Sequence, residues 1–310
     1  MTIKKVSVIG AGLMGNAIAI VFAKNPDIQV CLFDVVDKPD FKAPIKEVLD
    51  VMIDGNILTN DESHKILGKI SYEKDLEKAV ENADFVIECV PEILDLKQNV
   101  FAEIEGYVKE STILATNTSV MSVTEIFSKC KIRNRVIGAH FWNPGHLIPL
   151  VEVVKTVDTD DKVIDVAMEL LKKSGKKPIL CKKDVPGFIA NRLQHALWRE
   201  AFYMVDEGIA DPKTIDEACN YGPGLRWPVI GPMENSDLVG LDLSLNIHNY
   251  ILKHLADNHE PSKVLKEMYE SGKNGFKTGS GWQDYTEEEM KSIKDNLQKY
   301  LIKYNAENKF

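Results

Sequence analysis

The residues whose types and spacing could do chemistry fall in two stretches of this 310-residue chain. The first is Gly10-Ala11-Gly12-Leu13-Met14-Gly15, a G-x-G-x-x-G run directly after the β-branched segment Lys5–Gly10 and opening a helical pattern. Glycines at this spacing let the chain turn tightly, let the backbone approach a pyrophosphate and let helix pack on strand. The helix N-terminus adds unpaired N–H groups and a partial positive charge. Asp34 follows Gly15 by 19 residues, at the end of the next apolar run. A carboxylate there accepts from ribose hydroxyls and repels a 2′-phosphate, and no Arg follows nearby, so the pattern reads as NAD rather than NADP binding. A glycine-rich turn that serves packing alone is the alternative.

The second stretch holds Asn117-Thr118-Ser119, then His140-Phe141-Trp142-Asn143-Pro144, then Leu150-Val151-Glu152-Val153. His140 ends one strand candidate and Glu152 lies inside the next. If the chain folds back about His146, the two residues become cross-strand partners and can touch. A carboxylate against imidazole fixes the ring and stabilises imidazolium, and histidine can take a proton from an alcohol near neutral pH. On spacing alone, a core histidine beside an unrelated acid remains the other reading. A metal site lacks ligands, because no Cys or third His lies near His140 and His146. His195, His248, His254 and His259 read as surface or packing residues, and Ser119 lacks the G-x-S-x-G setting of a hydrolase.

These groups need elements to hold them. Lys5–Gly10, Leu13–Lys24 and Val30–Phe33 read as strand, helix, strand. Further strand candidates are Phe85–Cys89, Thr112–Ala115, Val136–Phe141 and Leu150–Val154, with helical patterns at Leu96–Val108 and Val163–Lys173. Alternation of this kind indicates a mainly parallel sheet covered on both faces. Residues 38–75 read as a helical insertion. After Lys183 strand signals nearly vanish. Pro186 suits a first helical turn, and Leu193, Leu197, Ala201 and Met204 mark one helical face. Thr286-Glu287-Glu288-Glu289 reads as a capping box before a stripe of Met290, Ile293, Leu297, Leu301 and Tyr304. The expectation is an α/β Rossmann-type N-terminal domain over residues 1–185, followed by an all-α C-terminal domain over residues 186–310.

Composition narrows the partners. The apolar fraction is 44%, enough for a packed core, and the net charge of −9 argues against broad nucleic-acid or membrane-surface binding. Cys31, Cys89, Cys130, Cys181 and Cys219 are odd in number and form no C-x-x-C pair. They read as reduced thiols in a cytoplasmic protein. The apolar run Val6–Ala23 superficially resembles a signal or membrane segment, but its glycines, Ser7 and Asn16 argue against that.

Taken together, these pieces resemble the 3-hydroxyacyl-CoA dehydrogenase family over essentially the full chain. Pro186-Gly187-Phe188-Ile189-Ala190-Asn191-Arg192 and Gly275-Phe276-Lys277-Thr278-Gly279-Ser280-Gly281 add to the match. The resemblance implies an NAD-dependent oxidoreductase of fatty acid β-oxidation acting on L-3-hydroxyacyl-CoA such as 3-hydroxybutyryl-CoA. It implies that His140 is the general base for the 3-hydroxyl while hydride moves from C3 to the nicotinamide, and that Glu152 orients His140. Ser119 and Asn191 would hydrogen-bond the reacting oxygen and the substrate carbonyl. Glu92 and Lys97 match positions near the nicotinamide ribose, and Asn117 one beside the nicotinamide. The resemblance also implies a site in a cleft between domains and a homodimer through the helical domain. Cys89-Val90-Pro91-Glu92 and Gly224-Leu225-Arg226-Trp227 instead resemble the lambda-crystallin-like gulonate and carnitine dehydrogenases, which act on free hydroxy acids; there Arg226 would hold a substrate carboxylate. A silent, crystallin-like NAD-binding protein is a third reading, opposed by the intact Ser119, His140, Glu152 and Asn191.

Overall fold

A computed structural model of the chain describes residues 2–308. The strands are β1 (Lys5–Ile9), β2 (Gln29–Phe33), β3 (Ile70–Glu73), β4 (Phe85–Glu88), β5 (Ile113–Thr116), β6 (Val136–Phe141), β7 (Leu150–Lys155) and β8 (Lys177–Cys181). They form a single sheet in the order β3-β2-β1-β4-β5-β6-β7-β8. The pairs are parallel except β6 with β7, which is antiparallel. The chain reverses its direction of travel across the sheet between β1 and β4, the switch point outside which nucleotides bind in doubly wound sheets.

Alternate side chains of each strand pack into two layers, as the period of two requires. Val6 and Val8 face one core with Ile18, Phe22, Leu49 and Leu171. Ile9 and Val86 face the other with Phe101, Ile104 and Phe127. The covering helices of the first core include α1 (Leu13–Lys24), α2 (Lys42–Asp54) and α3 (Asn60–Gly68). The run Val6–Ala23 is therefore β1, the glycine turn and α1, most of it buried against the sheet.

The helical insertion is present as α2 and α3, and the latter opens on a capping box between Thr59 and Glu62. It closes on β3, a strand that the sequence pattern hides because only Ile70 of its four residues is fully buried. The next helices are α4 (Leu76–Val80), α5 (Leu94–Tyr107), α6 (Val123–Ile126) and α7 (Asp161–Lys173). Strand β8 was not anticipated either. Its Pro178 lowers strand propensity, which is tolerated on an edge strand.

Pro186 does not open a helix. Residues 186–189 form a turn with Gly187 at φ +76 and Phe188 at φ +49, and helix α8 (Ala190–Asp206) begins after it. The remaining helices are α9 (Pro212–Tyr221), α10 (Pro232–Val239), α11 (Leu241–Ile251), α12 (Lys263–Glu270) and α13 (Glu287–Asn308). The capping box at Thr286 and Glu289 forms, with both reciprocal hydrogen bonds in place. By its contacts the chain divides into two units. One runs to Asn191 and resumes at Asn296; the other is Arg192–Asp295. The end of α13 thus belongs with the sheet. Leu301 is buried there, and a Cβ on Gly55 would meet Ile302 Cγ2 at 2.4 Å.

Candidate active site

The glycine-rich turn follows β1. Gly10 lies at φ +104, and a Cβ there would meet the Cys89 carbonyl oxygen at 2.8 Å. A Cβ on Gly15 would sit 1.8 Å from the Gly10 oxygen, so helix and strand approach more closely than any side chain allows. Around Gly12 nothing lies within 4 Å. Two glycines therefore set a close backbone approach, and the middle one faces open space at a helix N-terminus, the shape a pyrophosphate needs. Asp34 follows β2 and accepts from the N–H of Ala11 at 3.0 Å and of Val36 at 3.0 Å. Lys38 Nζ lies 3.3 Å from Asp34 and donates to the Ala11 carbonyl at 3.0 Å. The residues present fit a dinucleotide.

His140 and Glu152 are direct partners in the β6–β7 register. Antiparallel pairing puts them on one face, and His140 Nδ1 lies 2.9 Å from Glu152 Oε2. The carboxylate is fully buried and accepts three further hydrogen bonds. Trp142 Nε1 donates to Oε2 at 3.2 Å, and the N–H groups of Ile189 and Ala190 donate to Oε1 at 2.9 Å each. Those two amides point at Glu152 because the turn at Gly187 and Phe188 precedes α8. Burial by itself raises the Glu152 carboxyl, but the hydrogen bonds from His140, Ala190, Ile189 and Trp142 outweigh it and hold it below its ordinary value. An ionised Glu152 requires the proton on Nδ1, so the neutral ring carries its lone pair on Nε2. Nε2 has no partner among the described residues and is not sealed from solvent.

The neighbouring strand ends carry a second cluster. Lys97 on α5 is buried, and its ammonium lies 2.7 Å from Glu88 Oε1, 3.1 Å from Glu92 Oε2 and 3.2 Å from the Val90 carbonyl. Its three protons thus have protein acceptors, and Lys97 holds Glu92 in place. Thr116 Oγ1 donates to Glu88 Oε2 at 2.7 Å. Burial lifts the Glu88 carboxyl above its ordinary value, and Lys97, Thr116 and the Val90 N–H offset this only in part. Glu92 also accepts from the Thr118 hydroxyl and, at 3.0 Å, from the Ser119 N–H. Burial raises the Glu92 carboxyl; the bonds from Thr118, Lys97 and Ser119 outweigh it and leave it below the ordinary value.

Hydrogen bonds join the two clusters. Asn117 Oδ1 accepts from the Phe141 N–H at 2.8 Å, tying β5 to β6 beside His140. Asn191 Nδ2 donates to the Ser119 carbonyl at 2.9 Å. The Ser119 hydroxyl has no partner among the described residues, and Ser119 is exposed. His140, Glu152, Ser119, Asn191, Asn117, Glu92 and Lys97 therefore share one network. Arg226 lies in the second unit, exposed, just after the 3₁₀ turn Pro223–Leu225, and makes no ion pair with another described residue. The reading from sequence missed Trp142, Thr118 and the Glu88–Thr116 pair. The one signal for Glu88 was a carboxylate closing an otherwise apolar strand.

A doubly wound sheet with this glycine cradle and Asp34 defines an NAD-binding dehydrogenase. Residues 5–185 match the 3-hydroxyacyl-CoA dehydrogenase NAD binding domain and residues 187–285 the 3-hydroxyacyl-CoA dehydrogenase C-terminal domain. The chain belongs to the 3-hydroxyacyl-CoA dehydrogenase family. It is 31% identical to 5-formyl-3-hydroxy-2-methylpyridine 4-carboxylate 5-dehydrogenase of Mesorhizobium japonicum, over 97% of this chain and 96% of that one. It is 35% identical to human mitochondrial hydroxyacyl-coenzyme A dehydrogenase, over 91% of each. A crystal structure of the 5-dehydrogenase acting on the same formyl-pyridine carboxylic acid, described as an NAD+ dependent dismutase, superposes with a TM-score of 0.89 at 30% identity and covers 98% of both chains.

Proposed function

We propose that this chain is an L-3-hydroxyacyl-CoA dehydrogenase in which His140 and Glu152 form the proton-transfer pair. The observation that carries the reading is the His140 ring, bound through Nδ1 to a buried carboxylate while Nε2 has no partner among the described residues. In alcohol oxidation Nε2 takes the C3 hydroxyl proton, and the imidazolium that forms is stabilised by Glu152 at 2.9 Å. Bound NAD supplies the hydride acceptor, and NADH the donor in the reverse direction. The unpartnered Ser119 hydroxyl is available to the reacting oxygen. Asn191 holds the Ser119 backbone and offers the rest of its amide to the substrate carbonyl. Glu92 and Asn117 serve the nicotinamide end, with Lys97 bracing Glu92.

A second reading has its own support. The pyridine-carboxylate relative acts on a free carboxylate, and Arg226 is an exposed guanidinium without an ion pair among the described residues. A guanidinium holds a carboxylate through two parallel hydrogen bonds. The same hydride chemistry on a free hydroxy acid or aromatic carboxylate would use Arg226. The intact network of Ser119, His140, Glu152 and Asn191 opposes a silent, structural role. The discriminating experiment measures NADH consumption with acetoacetyl-CoA, a free 3-oxo acid and an aromatic aldehyde carboxylate, in the natural protein and in Arg226→Met. Reduction of acetoacetyl-CoA that survives Arg226→Met supports the acyl-CoA reading. A natural protein that ignores acetoacetyl-CoA, with free-acid activity lost in the variant, establishes the second.

The same proposal extends to assembly and compartment. No residue of α10 or α11 is buried, and Met233, Leu238, Leu241 and Leu245 are exposed. Such an apolar face needs a cover, and we assign it to a second copy, tested by light scattering of the natural protein and Leu245→Glu. Among the described residues no helix is long and apolar enough to cross a membrane. Cys31, Cys89, Cys130 and Cys219 are free thiols, which suits a reducing cytoplasm.

A further inference from the structure

The turn between β6 and β7 joins the strand that carries His140 to the strand that carries Glu152, and it is held by groups the chemistry does not use. Lys176 immediately precedes β8. Its buried ammonium donates to the Gly145 carbonyl at 2.6 Å and to the Ile148 carbonyl at 2.7 Å, with no carboxylate partner among the described residues. Asn305 on α13 donates to the Leu147 carbonyl at 2.7 Å. On its other side the turn packs on the cofactor helix. A Cβ on Gly145 would lie 3.2 Å from Ala17 Cβ and 3.5 Å from Met14 Cε.

A buried ammonium without a counter-ion is an expensive way to fasten a turn, and an apolar residue would be the ordinary choice. What the charge adds is two charge-assisted hydrogen bonds, stronger than those of a neutral donor. We infer that Lys176 is a positioning residue for the reaction, its ammonium clamping the β6–β7 turn against α1 so that His140 and Glu152 keep their place relative to the glycine cradle. The inference rests on the His140–Glu152 reading above.

The clamp is also sensitive to pH. Burial, and then the charge of Lys24 at the end of α1, bring the Lys176 ammonium down to about 7. His146, in the turn itself, is pushed down to about 4 by burial and by Lys176 and Lys24, so it is neutral where Lys176 titrates. Glu62 of α3 acts on Lys24, and α13 contributes the uncharged Asn305. As pH rises through about 7 the ammonium becomes an amine and its hold on the two carbonyls weakens.

The test compares the natural protein with Lys176→Arg, which keeps a charge that does not titrate, and Lys176→Met, which has none. Turnover is followed in the alcohol-oxidising direction. Hydrogen exchange of residues 143–149, corrected for its intrinsic pH dependence, reports on the turn without using activity. The natural protein should lose both turn protection and turnover above about pH 7. Lys176→Arg should keep both at higher pH. Lys176→Met should show an open turn and a turnover lower by about 100-fold throughout, the scale of an ångström misplacement. A Lys176→Met protein with the natural pH profile and turn protection overturns the inference, as does a turn that opens with no change in turnover. If His140→Gln keeps its turnover, the base assignment fails instead, and the exchange measurements separate the two outcomes.

Discussion

Replacing Glu152 with Gln changes one atom, and the structure says what that atom does. The carboxylate accepts from His140 and Trp142 at one oxygen and from the Ile189 and Ala190 N–H groups at the other. Glutamine has one oxygen. If it faces the two backbone amides, its NH₂ faces His140 Nδ1 and Trp142 Nε1. It can then donate only to a ring whose proton has moved to Nε2, and that ring cannot act as the base. It also leaves the Trp142 N–H without an acceptor. If the amide is flipped, the two backbone donors are stranded in a fully buried place. Each stranded donor costs about 1–3 kcal/mol of stability. The inverted tautomer and the lost imidazolium partner together remove about 10³–10⁴-fold of turnover, the scale known for a tautomer-reversing amide in a hydrolase triad. Steady-state NADH consumption and thermal melting measure the two effects on one sample. The hydrogen bonds hold Glu152 below its ordinary value of 4.5, so its stabilising contribution is complete above that pH and is lost as pH falls through the folded value. The stability gap between the natural protein and the variant should therefore narrow on acidification below pH 4.5. A variant with turnover within about threefold of the natural protein would refute the reasoning, because both amide orientations lose the charged partner of the imidazolium and one of them also moves the ring proton to Nε2.

Two further predictions concern the cofactor cradle. Gly12→Ala adds a methyl into open space, so it should fold with an unchanged melting temperature yet bind NADH more weakly; Gly15→Ala places a Cβ 1.8 Å from the Gly10 oxygen and should lower the melting temperature as well. Equal melting and equal NADH titrations for both variants would contradict the assignment of separate roles. Asp34→Ala removes the carboxylate but leaves Lys38, which now lies 3.3 Å from it. The ratio of turnover with NAD to turnover with NADP should fall in that variant, and an unchanged ratio would take the adenosine ribose away from Asp34.

The sheet was readable wherever strands are buried on both faces. Phe85–Glu88 and Val136–Phe141 are continuous buried runs, and the expected bounds of each agree with the structure to within a residue. Strand β3 escaped because it lies at the edge of the sheet with a polar outer face, and β8 because of its proline. The His140–Glu152 pairing followed from a count: the residues sit equally far from His146, and the antiparallel register preserves that symmetry. The support behind the pair was not countable. The amides of Ile189 and Ala190 reach Glu152 across 37 and 38 residues through the turn at Gly187, and Lys176 reaches Gly145 across 31. Backbone donors carry no side-chain signature, and a lysine before a strand looks like any surface charge. The position of Pro186 suggested a helix start, whereas the chain uses that stretch to turn two amides toward a carboxylate.

The central claim is that His140 Nε2 moves the substrate proton, and His140→Gln tests it most directly. Acetoacetyl-CoA and NADH are mixed with the variant in a single turnover while NADH binding is titrated separately. The account predicts that NADH binds as in the natural protein and that the reduction rate falls by about 10²–10⁴-fold. A variant that reduces acetoacetyl-CoA at close to the natural rate would contradict it, and the proton would have to come from another group.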